Sequence, residues 1–344
     1  MKLLVKDVIK ETKDAVSISF KNGTLFKKLK YKPGQFLTIH VPIEDRIHKR
    51  AYSFSSNPFT DKDLKITIKR VDEGLVSNYV HDNLKVGDKI QVDDPTGSFF
   101  IQPDVKTNKQ YVLFAGGSGI TPIYSILKSV LSEEKNSKVL LIYANQTIES
   151  IIFHTELHQL EKEYPNNLSV EYIISSDNTN KEKYSSGFIS KELLDAIFNK
   201  HQLEYDDHDY MICGPLGYMD TVKSILSNNG ISANKIKVEV FKLPENKNAG
   251  KNKNLTSEVT IKHNGKEHKL EAKGDKTILQ QAMSNNLDIP YSCRSGMCAS
   301  CKCKCVEGEV KMLDGHFLTE EEVKAGNILS CISYPLTEKV TIEI

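Results

Sequence analysis

No apolar run in this chain approaches the roughly 20 residues that a bilayer-spanning helix needs; runs such as residues 139–143, VLLIY, stop far short. An excess of charge is missing too. Lys and Arg number 46 against 45 Asp and Glu, a net +1, so nothing electrostatic argues for nucleic acid or another polyanion as partner. The N-terminus, MKLLVKDVIKETK, has Lys6 and Asp7 where a signal peptide needs at least ~7 uninterrupted apolar residues. The expected location is therefore the cytoplasm, without stable membrane insertion. There is no internal repeat, and no GxSxG, P-loop or paired-carboxylate arrangement is present. The cysteines are not spread evenly: of seven, six lie between Cys293 and Cys331. That odd, clustered set excludes a secreted disulfide framework and points to metal ligation.

The chain reads as three segments. Residues 1–105 hold short alternating runs (16–20, 36–41, 64–69) separated by turn signals such as Lys21-Asn22-Gly23, Pro33-Gly34 and Asp94-Pro95-Thr96-Gly97. This is the pattern of an antiparallel barrel or sandwich. Residues 106–242 switch to apolar strand, glycine turn and helix: a strand over 111–115, a turn at 116–119, a helix over 122–131. The pattern returns at 139–144 with a helix near 151–163, at 169–175, and at 210–213 with a helix over 218–226, which predicts a parallel sheet with crossover helices. Residues 243–255, LPENKNAGKNKNL, read as a solvated linker. Residues 256–344 predict a small α+β unit with a hairpin around Asn264-Gly265, a helix over 277–285 and a closing strand over 339–344.

The strongest chemical signal is Cys293-x4-Cys298-x2-Cys301 followed by Cys331, the plant-type spacing of a 2Fe-2S cluster. Gly296 lets the loop bend, and Ala299 and Ser300 leave room for backbone N–H groups to face the sulfides. Zinc is the competing metal, but it prefers two CxxC knuckles and only Cys298 and Cys301 form one. Cys303 and Cys305 follow at strand period and read as small core residues beside the cluster.

From these cysteines outward the chain resembles the ferredoxin-NADP reductase family, with a plant-type ferredoxin domain at its C-terminal end, as in the reductase components of phenylacetyl-CoA epoxidase and other multicomponent oxygenases. The resemblance implies an antiparallel β-barrel FAD domain, an α/β parallel-sheet NAD(P) domain and a β-grasp ferredoxin domain. Arg50-Ala51-Tyr52-Ser53 resembles the RxYS signature: Arg50 for the flavin pyrophosphate, Tyr52 over the ring or ribityl chain, and Ser53, with a catalytic part, at flavin N5. Gly74-Leu75-Val76-Ser77 resembles the second pyrophosphate element, with Gly74, Val76 and Ser77 binding, and Ile68 and Lys69 join the cofactor-binding set.

Gly116-Gly117-Ser118-Gly119-Ile120-Thr121-Pro122 lies between strand and helix, where N–H donors favour a phosphate. It departs from GxGxxG and resembles the family's GGxGxTP element, with Thr121 near the flavin. Cys213-Gly214-Pro215 resembles the CGP motif, whose cysteine lies by the nicotinamide and is the second catalytic candidate. Phe241 is a weaker candidate for packing at the flavin.

NADPH-preferring relatives tend to carry a Ser-Arg pair after the third strand of this domain. Here the run is Ser175-Ser176-Asp177, residues 106–242 contain no Arg, and Lys181 or Lys183 offers only a point charge. NADH is therefore favoured. His154 and His158, four apart on a helix, lack the HExxH glutamate and read as a solvated face. The cofactors carry the chemistry, and the implied acceptor is a redox protein such as an oxygenase or desaturase component. Alternatives are an FMN-type oxygenase reductase, a reductase for a non-oxygenase acceptor, and a flavin-free ferredoxin-like carrier.

Overall fold

A computed structural model describes residues 1–22, 29–176, 184–206, 208–241, 256–313 and 316–344. The expected linker 243–255, together with Asp177, Lys181 and Lys183, falls outside these residues. The described chain forms two compact units, Met1–Val240 and Phe241–Ile344. Among the described residues no helix is long and apolar enough to cross a membrane.

The first unit begins with strands β1 (Lys2–Lys10), β2 (Ala15–Phe20), β3 (Phe36–Ile43), β4 (Arg46–Ser53), β5 (Leu64–Lys69) and β6 (Lys89–Val92). They pair antiparallel in the order β4-β3-β6-β1-β2-β5. An isolated bridge between Phe54, just after β4, and Ile66 of β5 joins the two ends of this order, so the sheet curls into a barrel. Alternation fills it: Val16, Ile18 and Phe20 face the core with Leu37, Ile39 and Ile66. The opposite face of β2 is also covered, and its polar members are satisfied. Ser17 Oγ meets Thr67 Oγ1 at 2.7 Å, and Thr67 Oγ1 meets Ser55 Oγ at 2.8 Å. The segment expected to be all-β contains one helix, α1 (Leu75–Asn83).

The second half of this unit is a parallel sheet of β7 (Gln110–Gly116), β8 (Lys138–Asn145), β9 (Leu168–Ile174), β10 (Tyr184–Ser186), β11 (Asp209–Cys213) and β12 (Ile236–Glu239). Its helices are α2 (Ile120–Glu133), α3 (His154–Glu163), α4 (Lys191–Lys200) and α5 (Leu216–Asn228). The order β10-β9-β8-β7-β11-β12 changes direction between β7 and β11. That is the topological switch point, where open α/β sheets bind ligands beyond the carboxyl ends of their strands. On either side of it, β7 and β11 are apolar after their first residues, Gln110 and Asp209, because helices cover both faces. A polar seam joins barrel and sheet: Ser125 Oγ of α2 donates to Ser56 O at 2.6 Å, and Asn57 Nδ2 donates to Lys128 O at 3.1 Å.

In the second unit β13 (Thr256–His263) and β14 (Lys266–Lys273) form the expected hairpin. Asn264 and Gly265 both have positive φ, 51° and 72°, as a two-residue type I′ turn requires. Helix α6 (Ile278–Ser284) starts at a capping box in which Thr277 and Gln280 satisfy one another's backbone N–H. There follow β15 (Lys302–Glu307), β16 (Val310–Met312), α7 (Glu320–Lys324), β17 (Asn327–Leu329), β18 (Ser333–Pro335) and β19 (Lys339–Glu343). The main sheet runs β14-β13-β19-β15-β17. The closing strand thus sits in the middle, parallel to β13 and antiparallel to β15. Beneath the sheet, Ile278 and Leu279 of α6 share a core with Val259, Ile261, Leu329 and Ile342.

Candidate active site and cluster loop

Three of the motifs lie at ends of regular elements in the first unit. Arg50 to Ser53 end β4, and the Phe54–Ile66 bridge sets them beside the end of β5 with Ile68 and Lys69. Ser53 is buried, whereas Arg50 and Tyr52 are half-buried. The Arg50 Nη1 group donates to Lys49 O at 2.8 Å. Burial, only partly offset by Arg50, pushes the Tyr52 phenol up to about 12, so it presents a neutral ring. Gly74 is the N-cap of α1, and Val76 and Ser77 lie in its first turn. That is where backbone donors and the helix dipole favour a phosphate. A Cβ on Gly74 would fall 2.4 Å from Ser77 Oγ and 2.9 Å from Val71 O, and Ser77 Oγ in turn donates to Gly74 O at 3.1 Å. A cation, a neutral aromatic ring, a hydroxyl and a helix N-terminus fit the pyrophosphate and ring of a flavin dinucleotide.

The two glycine turns meet at the switch point. Gly117 to Gly119 form a 3-10 turn leading into α2, and the turn after β11 carries Gly214 and Pro215. A Cβ on Gly119 would lie 2.1 Å from Cys213 O, and one on Gly116 would lie 2.7 Å from Pro215 Cδ. Only glycine allows this backbone-to-backbone approach. Gly117 has φ +51°, and its carbonyl accepts the Tyr143 hydroxyl at 3.1 Å. Thr121 is buried, with its hydroxyl donating to Ser118 O at 3.1 Å. Lys69 crosses from the barrel: its Nζ stands 3.9 Å from the Cβ position of Gly117. The end of β5 and the Gly117 turn are therefore neighbours.

The Cys213 thiol is fully buried. Burial, reinforced by the carboxylate of Glu239 on the adjacent strand, drives its pKa up, so it is a neutral thiol and no nucleophile. Glu239 is itself buried, an acidic group beside the switch point. Phe241 opens the second unit, 43% exposed.

In the second unit, the loop after Tyr291 turns left-handed three times: φ is +59° at Arg294, +73° at Gly296 and +55° at Ala299. Two of these are not glycine, a cost that persists where the surroundings over-determine the backbone. These turns aim N–H groups at sulfur: Ser295 N donates to Cys293 Sγ at 3.3 Å, and Cys293 N donates to Cys298 Sγ at 3.4 Å. The four thiols gather as two pairs within hydrogen-bond reach, Cys293 with Cys298 and Cys301 with Cys331. Within the first pair the two thiols share a proton: the contact with Cys293 and the Ser300 donors lower the Cys298 pKa, and the same contact raises that of Cys293. Two thiols to each of two metals is the donor set of a 2Fe-2S centre, and it disfavours zinc. Cys303 is buried and Cys305 half-buried in the core behind the loop.

The His154–His158 pair departs from expectation. It is not a solvated face: both rings are half-buried and pack against Tyr172 and Tyr184. Residue spacing on a helix carries no information about what β10 brings to that face.

Comparison with known proteins agrees with this architecture. The Oxidoreductase FAD-binding domain family matches residues 2–101, the Oxidoreductase NAD-binding domain family 113–224, and the 2Fe-2S iron-sulfur cluster binding domain family 261–336. Fold and sites thus define an iron-sulfur flavoprotein oxidoreductase using FAD, a nicotinamide nucleotide and a 2Fe-2S cluster. The chain is 35% identical to the ferredoxin reductase component of a 3-ketosteroid-9-alpha-monooxygenase of Rhodococcus rhodochrous, covering 99% of this chain and 96% of that one. It is 31% identical to one component of the 1,2-phenylacetyl-CoA epoxidase of Escherichia coli (strain K12), again over 99% and 96%. The fold matches phthalate dioxygenase reductase with a TM-score of 0.67 at 23% identity, over 100% of this chain and 98% of the other. The chain belongs to the ferredoxin-NADP reductase family, in the branch of oxygenase reductase components that carry a C-terminal ferredoxin domain.

Proposed function

We propose that this protein is the reductase component of a multicomponent oxygenase or epoxidase system, taking reducing equivalents from NADH and delivering them singly to a partner oxygenase component. The observation that carries the reading is the approach of Lys69, on the flavin strand of the barrel, to the glycine turn of the nucleotide domain. When bound, FAD accepts the two electrons of a hydride and the 2Fe-2S centre takes them one at a time, which the difference between pyridine nucleotide and cluster chemistry demands.

The protein's own groups bind and orient. Arg50 and the N-terminus of α1, with Gly74, Val76 and Ser77, would hold the flavin pyrophosphate. Tyr52 and Ile68 would flank the ring, with the Ser53 hydroxyl as a donor to it. Gly116 to Gly119 and Thr121 would receive the nucleotide, and the turn of Gly214 and Pro215, with the neutral Cys213, would take the nicotinamide. Glu239 is buried beside Cys213 on the adjacent strand. Cys293, Cys298, Cys301 and Cys331 ligate the cluster. The domains are taken as 1–105, 106–242, a linker at 243–255, and 256–344, with the protein working in the cytoplasm.

NADH is favoured because Ser175-Ser176 follow β9 and residues 106–242 contain no Arg to clamp a 2′-phosphate. Anaerobic stopped-flow reduction tests the whole reading. NADH should bleach flavin and then cluster bands at least ~10-fold faster than equimolar NADPH, about 1.4 kcal/mol of discrimination. Cluster bands without flavin, even after FAD is supplied, would leave only a ferredoxin-like carrier.

A further inference from the structure

Away from the cofactor sites, a close gathering of metal-ligating side chains lies between α3 and β10. His154 and His158 stand one turn apart on α3, and Tyr184 begins β10, in register with Tyr172 of β9. His154 Nε2 is 2.8 Å from the Tyr184 hydroxyl, His158 Nε2 is 3.2 Å from the same hydroxyl, and the two Nε2 atoms are 3.1 Å apart. In a tetrahedral divalent site, bonds of about 2.0–2.1 Å set neighbouring ligand atoms about 3.3 Å apart. The three atoms therefore stand nearly where one face of such a tetrahedron places them.

His158 Nδ1 faces Glu161 Oε2 at 3.5 Å, which leaves Nε2 as the ring nitrogen turned to the other two donors. A central cation would take a lone pair from each corner. The surroundings hold the donors in place. Glu161 is oriented by the Val170 N–H at 3.0 Å, the carboxylate–histidine arrangement that steers imidazole ligands in metal sites. Tyr184 stacks on Tyr172 with centroids 5.0 Å apart and planes 13° from parallel, and His154 meets Tyr172 edge-on at 5.4 Å.

We propose that His154, His158 and Tyr184 form a second metal site, for a borderline divalent transition ion such as zinc, with Glu161 orienting His158. Two imidazoles and an oxygen suit zinc, copper and nickel over magnesium or calcium, and the site leaves a fourth position for water.

The test uses the full chain loaded with flavin and cluster in chelator-treated buffer, titrated with Zn²⁺ by calorimetry and checked by equilibrium dialysis with elemental analysis. One zinc per chain is expected beyond the cluster iron. His154→Ala and His158→Ala should each weaken binding at least ~10-fold, and Glu161→Gln roughly 10-fold, with flavin and cluster spectra unchanged as the sign of folding. X-ray absorption at the zinc edge of the wild-type protein needs no variant, and should show two imidazole ligands and no sulfur. Sulfur in the zinc shell, binding indifferent to both histidine substitutions, or no binding below ~1 mM would each overturn the site and leave a hydrogen-bonded triad only.

Discussion

Three alanine substitutions at glycines in the nucleotide domain separate crowding from backbone conformation. Gly119 has φ −60°, which any residue adopts, so its only demand is space. A Cβ there would meet Cys213 O at 2.1 Å, Cys213 C at 2.4 Å and Gly214 N at 2.7 Å, all main-chain atoms that no rotamer change can move. Overpacking of this kind costs about 1–3 kcal/mol or more, and contact with main chain on both sides puts Gly119→Ala at the upper end. Gly117 is the opposite case. Its Cβ would have open space, with Lys69 Nζ the nearest atom at 3.9 Å, but its φ is +51°, and a left-handed alanine costs about 1–2 kcal/mol. Gly217, in the first turn of α5 with nothing within 4 Å, should gain about 0.4–1 kcal/mol from alanine. For a unit of this size 1 kcal/mol moves the melting temperature by about 2–4 °C. Flavin release followed by fluorescence on heating should thus fall by roughly 6–12 °C for Gly119→Ala and roughly 2–8 °C for Gly117→Ala, and rise slightly for Gly217→Ala. The KM for NADH should rise most in Gly119→Ala, because the two turns must part. A Gly119→Ala protein melting within ~2 °C of wild type would refute the packing argument.

Cys298→Ser should abolish the cluster bands and EPR signal while flavin reduction by NADH survives, whereas Cys303→Ser should keep both, since Cys303 is core. Tyr111→Phe removes a hydroxyl that donates to the buried Glu134 at 3.1 Å; denaturant unfolding should show a loss of about 1–3 kcal/mol, and no loss would mean Glu134 is satisfied without it. Glu171 carries a pH dependence. Burial alone would raise its pKa, but hydrogen bonds from His201 at 2.7 Å and Lys200 at 2.8 Å outweigh that and hold it below the ordinary value. Its stabilisation is therefore present above the unfolded carboxyl value of about 4.3 and fades as pH falls through the lower folded value. The stability gap between wild type and Glu171→Gln, about 1.5–3 kcal/mol at pH 7, should shrink markedly by pH 3.5 in circular dichroism unfolding curves. A gap that widens on acidification would reverse the sign.

Much of the site is legible in the sequence because its motifs are local. The cysteine spacing, the Gly116–Gly119 turn and Asn264-Gly265 each encode a backbone path within a few residues, and the structure follows them. What the sequence hides depends on distant partners. The helix α1 is concealed in a segment of alternating strands, although Gly74 and Ser77 mark its first turn. The short strands β16 to β18 lack the length for a periodic signal. The histidine pair on α3 is packed where its spacing suggests solvent, because Tyr184 arrives from a separate strand. Helix α3 also starts later than the apolar pattern implies: Ile151, Ile152 and Phe153 are buried ahead of it, and Phe153 takes φ +63° at its N-cap.

The central place of β19 in the sheet of the second unit bears on how that unit is made. Strand β13 finds its hairpin partner β14 at once, but its other neighbour emerges only after about 75 further residues, roughly 4–15 s of synthesis at 5–20 residues per second. Until β19 is made, β14-β13 and β15-β17 have no strand between them. Cys293, Cys298 and Cys301 are made well ahead of it, but Cys331 precedes Lys339 by only eight residues. The last ligand and the central strand thus become available at the same stage, so completing the ligand set and closing the sheet are one late event.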